Sequence, residues 1–424
     1  MKREQIFSIL VDIKRMFIEA LSPLEMKKHK GKSFTRNRRL TLGRLVTIIL
    51  RNSPYSLQIR LDDYFDEMGH KEEVVSKEAI SKARTKLDPD IVKGSFELTA
   101  QTLSGCEDLE LYKGIYRLCA IDGSDIILDN ATELLAHFGG SGSKKDCATA
   151  MSSLCYDPLN NIILDGGLYP YGTSERDAAR NHFVAISALP LPKAASNLYI
   201  FDRGYPSKQI FAEMIDEGLF FLMRVRKKFN LDFDAVDKKE KVIFEHKGKE
   251  YCVRIFNITL PNGEKEILVT NVRGKHLKHK EVGELYFKRW GIEVKFNSLK
   301  NKLELENMSG RRVITTYQDF WAKLDLANTL AALEYATDEV ITMKTAGNNN
   351  KYAQRTNENR LISKFTDKYI EILTLENPDE RLALFDELVA DIAKRPVEVK
   401  PDRHSERKIP KKKKFFDRYK RVLR

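Results

Sequence analysis

Six residues of this 424-residue chain carry side chains that could do chemistry together. Four lie in ELYFKRWGIEVKFNSLKNKLE, residues 284–304: Tyr286, Arg289, Glu293 and Lys300, spaced by three, four and seven positions. On a helix turning about 100° per residue they fall inside an arc of roughly 60°. Leu285, Ile292, Phe296, Leu299 and Leu303 form a second stripe, centred about 70–80° away, that reads as the buried face. The polar four thus sit at the edge of the core, where a half-buried groove would form. A helix held by ion pairs alone would use the same residue types, so the stripe by itself leaves both readings open.

The other two are Asp122 in CAIDGSD and Asp202 in LYIFDRGY, each ending an apolar run and each close before a glycine. Taken singly, an Asp before Gly is commonly no more than a turn. Three convergent carboxylates would instead suit a divalent cation. Magnesium prefers oxygen ligands and keeps several waters, so two or three carboxylates suffice. A pair of ions about 4 Å apart can activate a water or a 3′-hydroxyl and stabilise the leaving oxygen of a phosphoryl displacement. In that setting Arg289 and Lys300 would hold phosphates, and Tyr286 would hydrogen-bond or stack.

Strands and helices must bring these residues together. YRLCAIDGSDIIL, TAMSSLCYD, NIILDGGLYP and NLYIFDRGY are short strand-like runs separated by turn residues, and SERDAARNHFVAISAL reads as a helix crossing from the third to the fourth. Three strands, a helix and a fourth strand make an α/β arrangement whose strand ends can hold a site. FFLMRVRKKF follows, then a β-rich stretch at about 229–272 with a hairpin turn at Pro261, Asn262 and Gly263. Next come the helix of 284–304 and another around 317–337. Residues 1–110 read as helical: Ile6, Ile9, Leu10, Ile13 and Phe17 keep helical spacing, as do Leu42, Leu45, Val46, Ile49 and Leu50. In the same region one helix ends at Gly69 and Ser76 caps the next. Beyond 341 apolar density falls, with one or two helices expected between 358 and 394. The expected division is a helical region at 1–110, an α/β region with its insertion at 111–340, and a helical and basic region at 341–424.

Charge narrows the partners. The 73 Lys and Arg against 61 Asp and Glu leave +12, which favours a polyanion, although solvated charge alone gives the same balance. Between Met26 and Leu61 stand ten Lys or Arg and no acid, centred on Arg36, Arg38 and Arg39, a candidate phosphate-contacting surface. From Pro401 onward eleven Lys or Arg face three acids, which suits a solvated tail or nonspecific DNA contact. A membrane role finds no support: Asp12, Lys14 and Arg15 break the N-terminal apolar run, and no other stretch approaches about 18 uncharged apolar residues. Five cysteines without a CxxC pair suit buried thiols in a reducing cytosol rather than disulfides or a zinc site. The close pair His276 and His279 lies in a Lys-rich stretch and reads as exposed.

Asp122 in IDGSD, Asp202 in FDRGY and Y-x2-R-x3-E-x6-K across Tyr286, Arg289, Glu293 and Lys300, with RWGIE, together resemble the insertion-sequence 4 family of DDE transposases. The likeness spans about 30–340 and is weaker in SFTRNRRLT and SKEAISKAR. It implies an α/β fold: a ribonuclease H-like mixed sheet with flanking helices, a β-rich insertion between the second Asp and the Glu, and a helical N-terminal DNA-binding region. It implies that Asp122, Asp202 and Glu293 are catalytic acids holding magnesium or manganese, as two ions, and that Tyr286, Arg289 and Lys300 meet DNA near the transposon end. The implied partners are double-stranded DNA, at the transposon ends and the target, and a second copy of the chain on paired ends, in the cytoplasm at the nucleoid. The implied activity is cut-and-paste transposition, through a hairpinned end in several members. A nuclease or resolvase on the same core, or a remnant that binds without cutting, are the other readings; intact acids count against the remnant. Trp290 either joins the core or stacks on a base. Glu175 and Arg176 either pair near the site or begin a surface helix, and Asp125 and Asp129 are further acids beside Asp122.

Overall fold

The computed structural model describes residues 3–21, 34, 39–51, 56–141, 147–226, 229, 238–259, 263 and 265–400. Arg36, Arg38, Pro261, Asn262 and the tail from Pro401 lie outside the described residues. The chain folds into two compact units, neither continuous in sequence: one draws on Met1–Asp108, Ile127–Thr149 and Lys302–Arg424, the other on Leu109–Ile126 and Ala150–Asn301.

The first unit opens with helices α1 (Arg3–Ala20), α2 (Leu42–Arg51), α3 (Leu57–Glu67), α4 (Lys77–Arg84) and α5 (Pro89–Ser104). Their starts follow from local chemistry. Ser56 accepts from the Ile59 amide, Ser76 from Ala79 and Asp88 from Asp90, each satisfying an amide that the helix leaves unpaired. Gly69 takes φ +69° just after α3, a conformation that favours glycine.

The second unit is built on a sheet of β1 (Tyr116–Ile127), β2 (Cys147–Asp157), β3 (Ile162–Pro170), β4 (Ser196–Phe201) and β5 (Phe220–Val225), of which only Ile127 and 147–149 are counted in the first unit. To these it adds the insertion strands β6 (Lys238–His246), β7 (Lys249–Thr259) and β8 (Lys265–Thr270). The order is β2-β1-β4-β5-β8-β7-β6, with β3 paired on β2. β1, β4 and β5 run parallel, whereas β2–β3, β5–β8, β8–β7 and β7–β6 are antiparallel. Lys247 and Gly248 make the β6–β7 connection with positive φ at both positions, the turn whose twist matches the strands it joins.

Helices α6 (Glu175–Ser187) and α7 (Lys208–Asp216) cover one face, where Phe183 meets Tyr199 and Phe211 stacks on Phe221. The other face packs Leu118, Leu198, Ile200, Leu222, Phe256 and Leu268 against Leu285 of α8 (His279–Phe287). Burial on both faces explains why β1 and β4 read as continuous apolar runs. Each such side chain contributes about 1.5–3 kcal/mol, and a one-residue slip would exchange the faces.

The mixed sheet, flanking helices, β-rich insertion and helical N-terminal region expected from the sequence are present. Two details differ. β1 does not stop at Asp122 but continues to Ile127, past its last β4 partner. Residues 284–304 are not one helix: α8 ends at Phe287 and α9 spans Trp290–Asn301. Between them the amides of Arg289, Gly291 and Ile292 each bond three residues back, tightening the backbone out of the α-helical path.

The chain then returns to the first unit through α10 (Val313–Thr345), α11 (Glu358–Thr374) and α12 (Pro378–Ile392). In that unit Lys14 pairs with buried Asp325, which also accepts from the Thr99 hydroxyl at 2.6 Å, and Arg84 pairs with Asp319 at 2.7 Å. No helix among the described residues is long and apolar enough to cross a membrane.

Candidate active site

β1 and β4 share their last paired step at Ile121 and Phe201, so Asp122 and Asp202 follow as neighbours where the strands part. The carboxyl ends of parallel strands are where α/β sheets bind ligands. Asp122 is turned back on its own backbone by the Gly123 amide, which donates to Oδ1 at 2.9 Å. Glu293 enters from the first turn of α9, and Arg289 from the tightened turn before it. The Arg289 guanidinium spans two of the acids: Nη2 lies 2.8 Å from Glu293 Oε1 and Nη1 3.5 Å from Asp122 Oδ2. Its other neighbour is the Tyr286 ring, 5.7 Å away, and the Tyr286 hydroxyl donates to Asp202 Oδ1 at 3.1 Å. All three acids are thereby joined through two side chains of the stripe.

Burial dominates the electrostatics of the site. Burial raises the Asp122 carboxyl to about 6; Arg289 and the Gly123 amide oppose the rise, while Glu293 and Asp202 add to it. Burial, followed by the charge of Asp202, pushes the Tyr286 phenol up. Arg289 is only 7% exposed, yet its Nε and Nη1 have no hydrogen-bond partner among the described residues. The hydroxyl of Tyr205, 1% exposed, likewise has none. Buried donors without acceptors are costly, and functional sites are where they are tolerated.

Other expected residues are placed differently. Lys300 docks on the end of β1, donating to Ser124 Oγ at 2.7 Å and to the Asp125 carbonyl at 2.6 Å. Trp290 is 46% exposed and continues an exposed apolar row from Phe287 to Val294, so it does not belong to the core. Arg39 is exposed in the other unit, where its carbonyl accepts from Arg44. Asp129 pairs with Arg311 there, and Asp125 is exposed. Arg176 clamps the loop after β4, donating to the carbonyls of Gly204, Tyr205 and Pro206. Partial burial, then the charges of Asp125 and Asp202, raise the Glu175 carboxyl.

Two constellations escape a reading of the sequence. Arg224 follows Met223, the β5 partner of Phe201, and sits 3.8 Å from Asp202 while holding buried Glu266 of β8 at 2.8 Å. Its parity with Asp202 beyond the shared register was the available signal. Ser153, His182 and Asp165 form a hydrogen-bonded row, 2.9 and 2.6 Å, with the types of a nucleophilic triad. Ser153 and His182 are fully buried, so the row fastens α6 to β2 and β3 rather than meeting a substrate.

Among the described residues no group of three or more His, Cys, Asp or Glu side chains is gathered closely enough to hold a metal ion as arranged. Here Arg289 provides the cation that Asp122 and Glu293 share.

No curated protein matches the chain by sequence. A cryo-EM structure of the piggyBac transposase synaptic complex with hairpin DNA is 9% identical, with 96% of this chain and 87% of that chain covered at a TM-score of 0.43. Residues 113–328, which contain Asp122, Asp202 and the whole stripe from Tyr286 to Lys300, match the family model of the transposase DDE domain, and the chain belongs to that family.

Proposed function

We propose that this chain is a DNA transposase of the insertion-sequence 4 type that binds transposon ends, cleaves DNA and joins 3′ ends to a target by cut-and-paste. The carrying observation is that Asp122, Asp202 and Glu293, from two strand ends and a helix start, are linked through Tyr286 and the buried guanidinium of Arg289. Members of the family generally use divalent metal ions. The residues fit such an ion: the ligating atoms would be carboxylate oxygens, two of the acids already share one cation, and the buried Tyr205 hydroxyl has no partner among the described residues. Asp122, Asp202 and Glu293 would hold magnesium or manganese, which when bound supplies positive charge to a phosphoryl displacement.

The chain's own groups do the rest. The buried Nε of Arg289, which has no acceptor among the described residues, offers a charged donor to a phosphate of the transposon end. Tyr286 keeps the Asp202 carboxylate oriented, and Arg224, anchored by Glu266, steadies its other side. Lys300 fixes the end of α9 to β1 and lines the same edge, while Trp290 stands exposed beside Arg289 where a base can stack. Double-stranded DNA, held by two copies of the chain on paired ends with Arg36, Arg38 and Arg39 on its phosphates, completes the reading.

A supercoiled plasmid carrying the element's ends, incubated with the protein and Mg²⁺, tests it. Excision with 3′-joining is expected. Cleavage without joining would make the chain a nuclease or resolvase, and binding without cleavage a remnant.

A further inference from the structure

Glu175 opens α6, the helix that crosses from β3 to β4, and its carboxylate lies against Gly123 in the extension of β1 and Gly204 in the loop after β4. A Cβ built on Gly123 would stand 3.3 Å from Glu175 Oε1, and one on Gly204 would stand 3.1 Å from Oε2. Neither glycine has a positive φ, so backbone conformation does not call for glycine at these positions. What each provides is room: without a Cβ, the extension of β1 after Asp122 and the loop after Asp202 both admit one carboxylate.

The platform beneath Glu175 is fixed. Arg176 ties the helix start to residues 204–206, and His182 ties its next turns to Asp165 and Ser153. A second, independent observation points to something bound at this place. The Tyr205 hydroxyl is buried without a partner among the described residues, and beside that burial it feels the charges of Glu175, Asp122 and Asp202, opposed by Arg289.

We propose that Glu175 is a fourth carboxylate of this centre, a positioning residue that accepts hydrogen bonds from the waters around the divalent ion rather than ligating the ion. Magnesium and manganese keep several waters, and those waters need acceptors fixed by the protein. Glu175 faces the backbone just after two of the three proposed ligands, where such waters would gather. This inference rests on the three-acid reading given above.

Titration of the full-length chain with Mn²⁺ alone, followed by calorimetry and by the EPR signal of free Mn²⁺, tests it. Glu175→Gln keeps the shape but not the charge, and is expected to weaken Mn²⁺ binding about tenfold. Glu175→Asp is expected to restore most of it. Gly204→Ala, whose Cβ presses on the same carboxylate, should weaken binding on its own and add little to Glu175→Gln, because the two changes disturb one contact. Asp122→Asn should abolish binding. Wild-type affinity in Glu175→Gln, with binding lost in Asp122→Asn, would overturn the inference and leave the three-acid reading standing. Affinity lost in Glu175→Asp but kept in Glu175→Gln would mark a packing role and also overturn it. Full affinity in Asp122→Asn would overturn the three-acid reading itself.

Discussion

Arg289 holds Asp122 and Glu293 with one guanidinium while its buried Nε keeps no acceptor among the described residues, and those two facts pull in opposite directions. Any divalent ion that takes both acids must compete with the guanidinium; any phosphate that arrives gives it somewhere else to go. Arg289→Ala is therefore expected to bind Mn²⁺ several-fold more tightly in the absence of DNA. Its strand transfer should nonetheless fall by about 10²–10³-fold, the usual cost of losing one preorganised donor at a reacting centre. Parallel loss of metal affinity and activity would mean that Arg289 only holds the turn together. Asp122→Asn, Asp202→Asn and Glu293→Gln are each expected to stop cleavage and joining without altering the circular dichroism spectrum. At this scale the sequence was legible where residue type carries the chemistry: carboxylates before glycines, and cations spaced along one stripe. Arg224 and Glu266 were not, because a strand arginine reads as a solvent-facing residue until its partner strand is known.

The elements that set these residues in place were legible in kind but not at their joints. Periodicity distinguishes strand from helix, but it cannot see the break at Lys288 and Arg289, since turn and helix there share one apolar stripe. The break has a seat in the β2–β3 turn. A Cβ on Gly291 would stand 3.0 Å from Pro158 Cβ and 3.4 Å from the Tyr156 ring, while Lys295 of α9 donates to Asn161 Oδ1 at 2.9 Å. Gly291→Ala should push the start of α9 away from this turn, costing about 1–3 kcal/mol and lowering strand transfer by more than the stability loss explains. Thermal melts beside joining assays would check both. The turn itself is organised by Asp157, whose carboxylate accepts from the Leu159 and Asn160 amides and from Asn160 Nδ2. Burial raises this carboxyl from 3.8 to about 6, against the pull of those donors. A folded-state value above the unfolded one means that its stabilising effect is full below 3.8 and lost as pH rises through about 6. Urea unfolding should accordingly show the wild type losing about 1 kcal/mol relative to Asp157→Asn between about pH 5 and pH 7.

The whole chain is organised in a way that no linear reading reveals. Helical and strand-rich textures suggest consecutive regions, yet the unit holding Asp122, Asp202 and Glu293 is assembled from Leu109–Ile126 and Ala150–Asn301, and α10 belongs with the N-terminal helices. α10 packs on α1 and α5, and Lys14 pairs with its Asp325, contacts of very long sequence separation that leave no local trace in composition. The division has a consequence for ligand binding. Every side chain proposed to meet the metal lies in one unit, so stabilisation by the ion should be confined to that unit unless binding is transmitted further. Hydrogen exchange with and without Mn²⁺ is expected to slow in peptides covering 120–126, 174–178, 200–206 and 286–293. Peptides from α1, α5 and α10 should exchange at unchanged rates. Protection spreading equally through α10 would show that the two units respond to the ion as a single cooperative body. Protection limited to 120–126 and 200–206, with none at 286–293, would instead remove Glu293 from the ligand set.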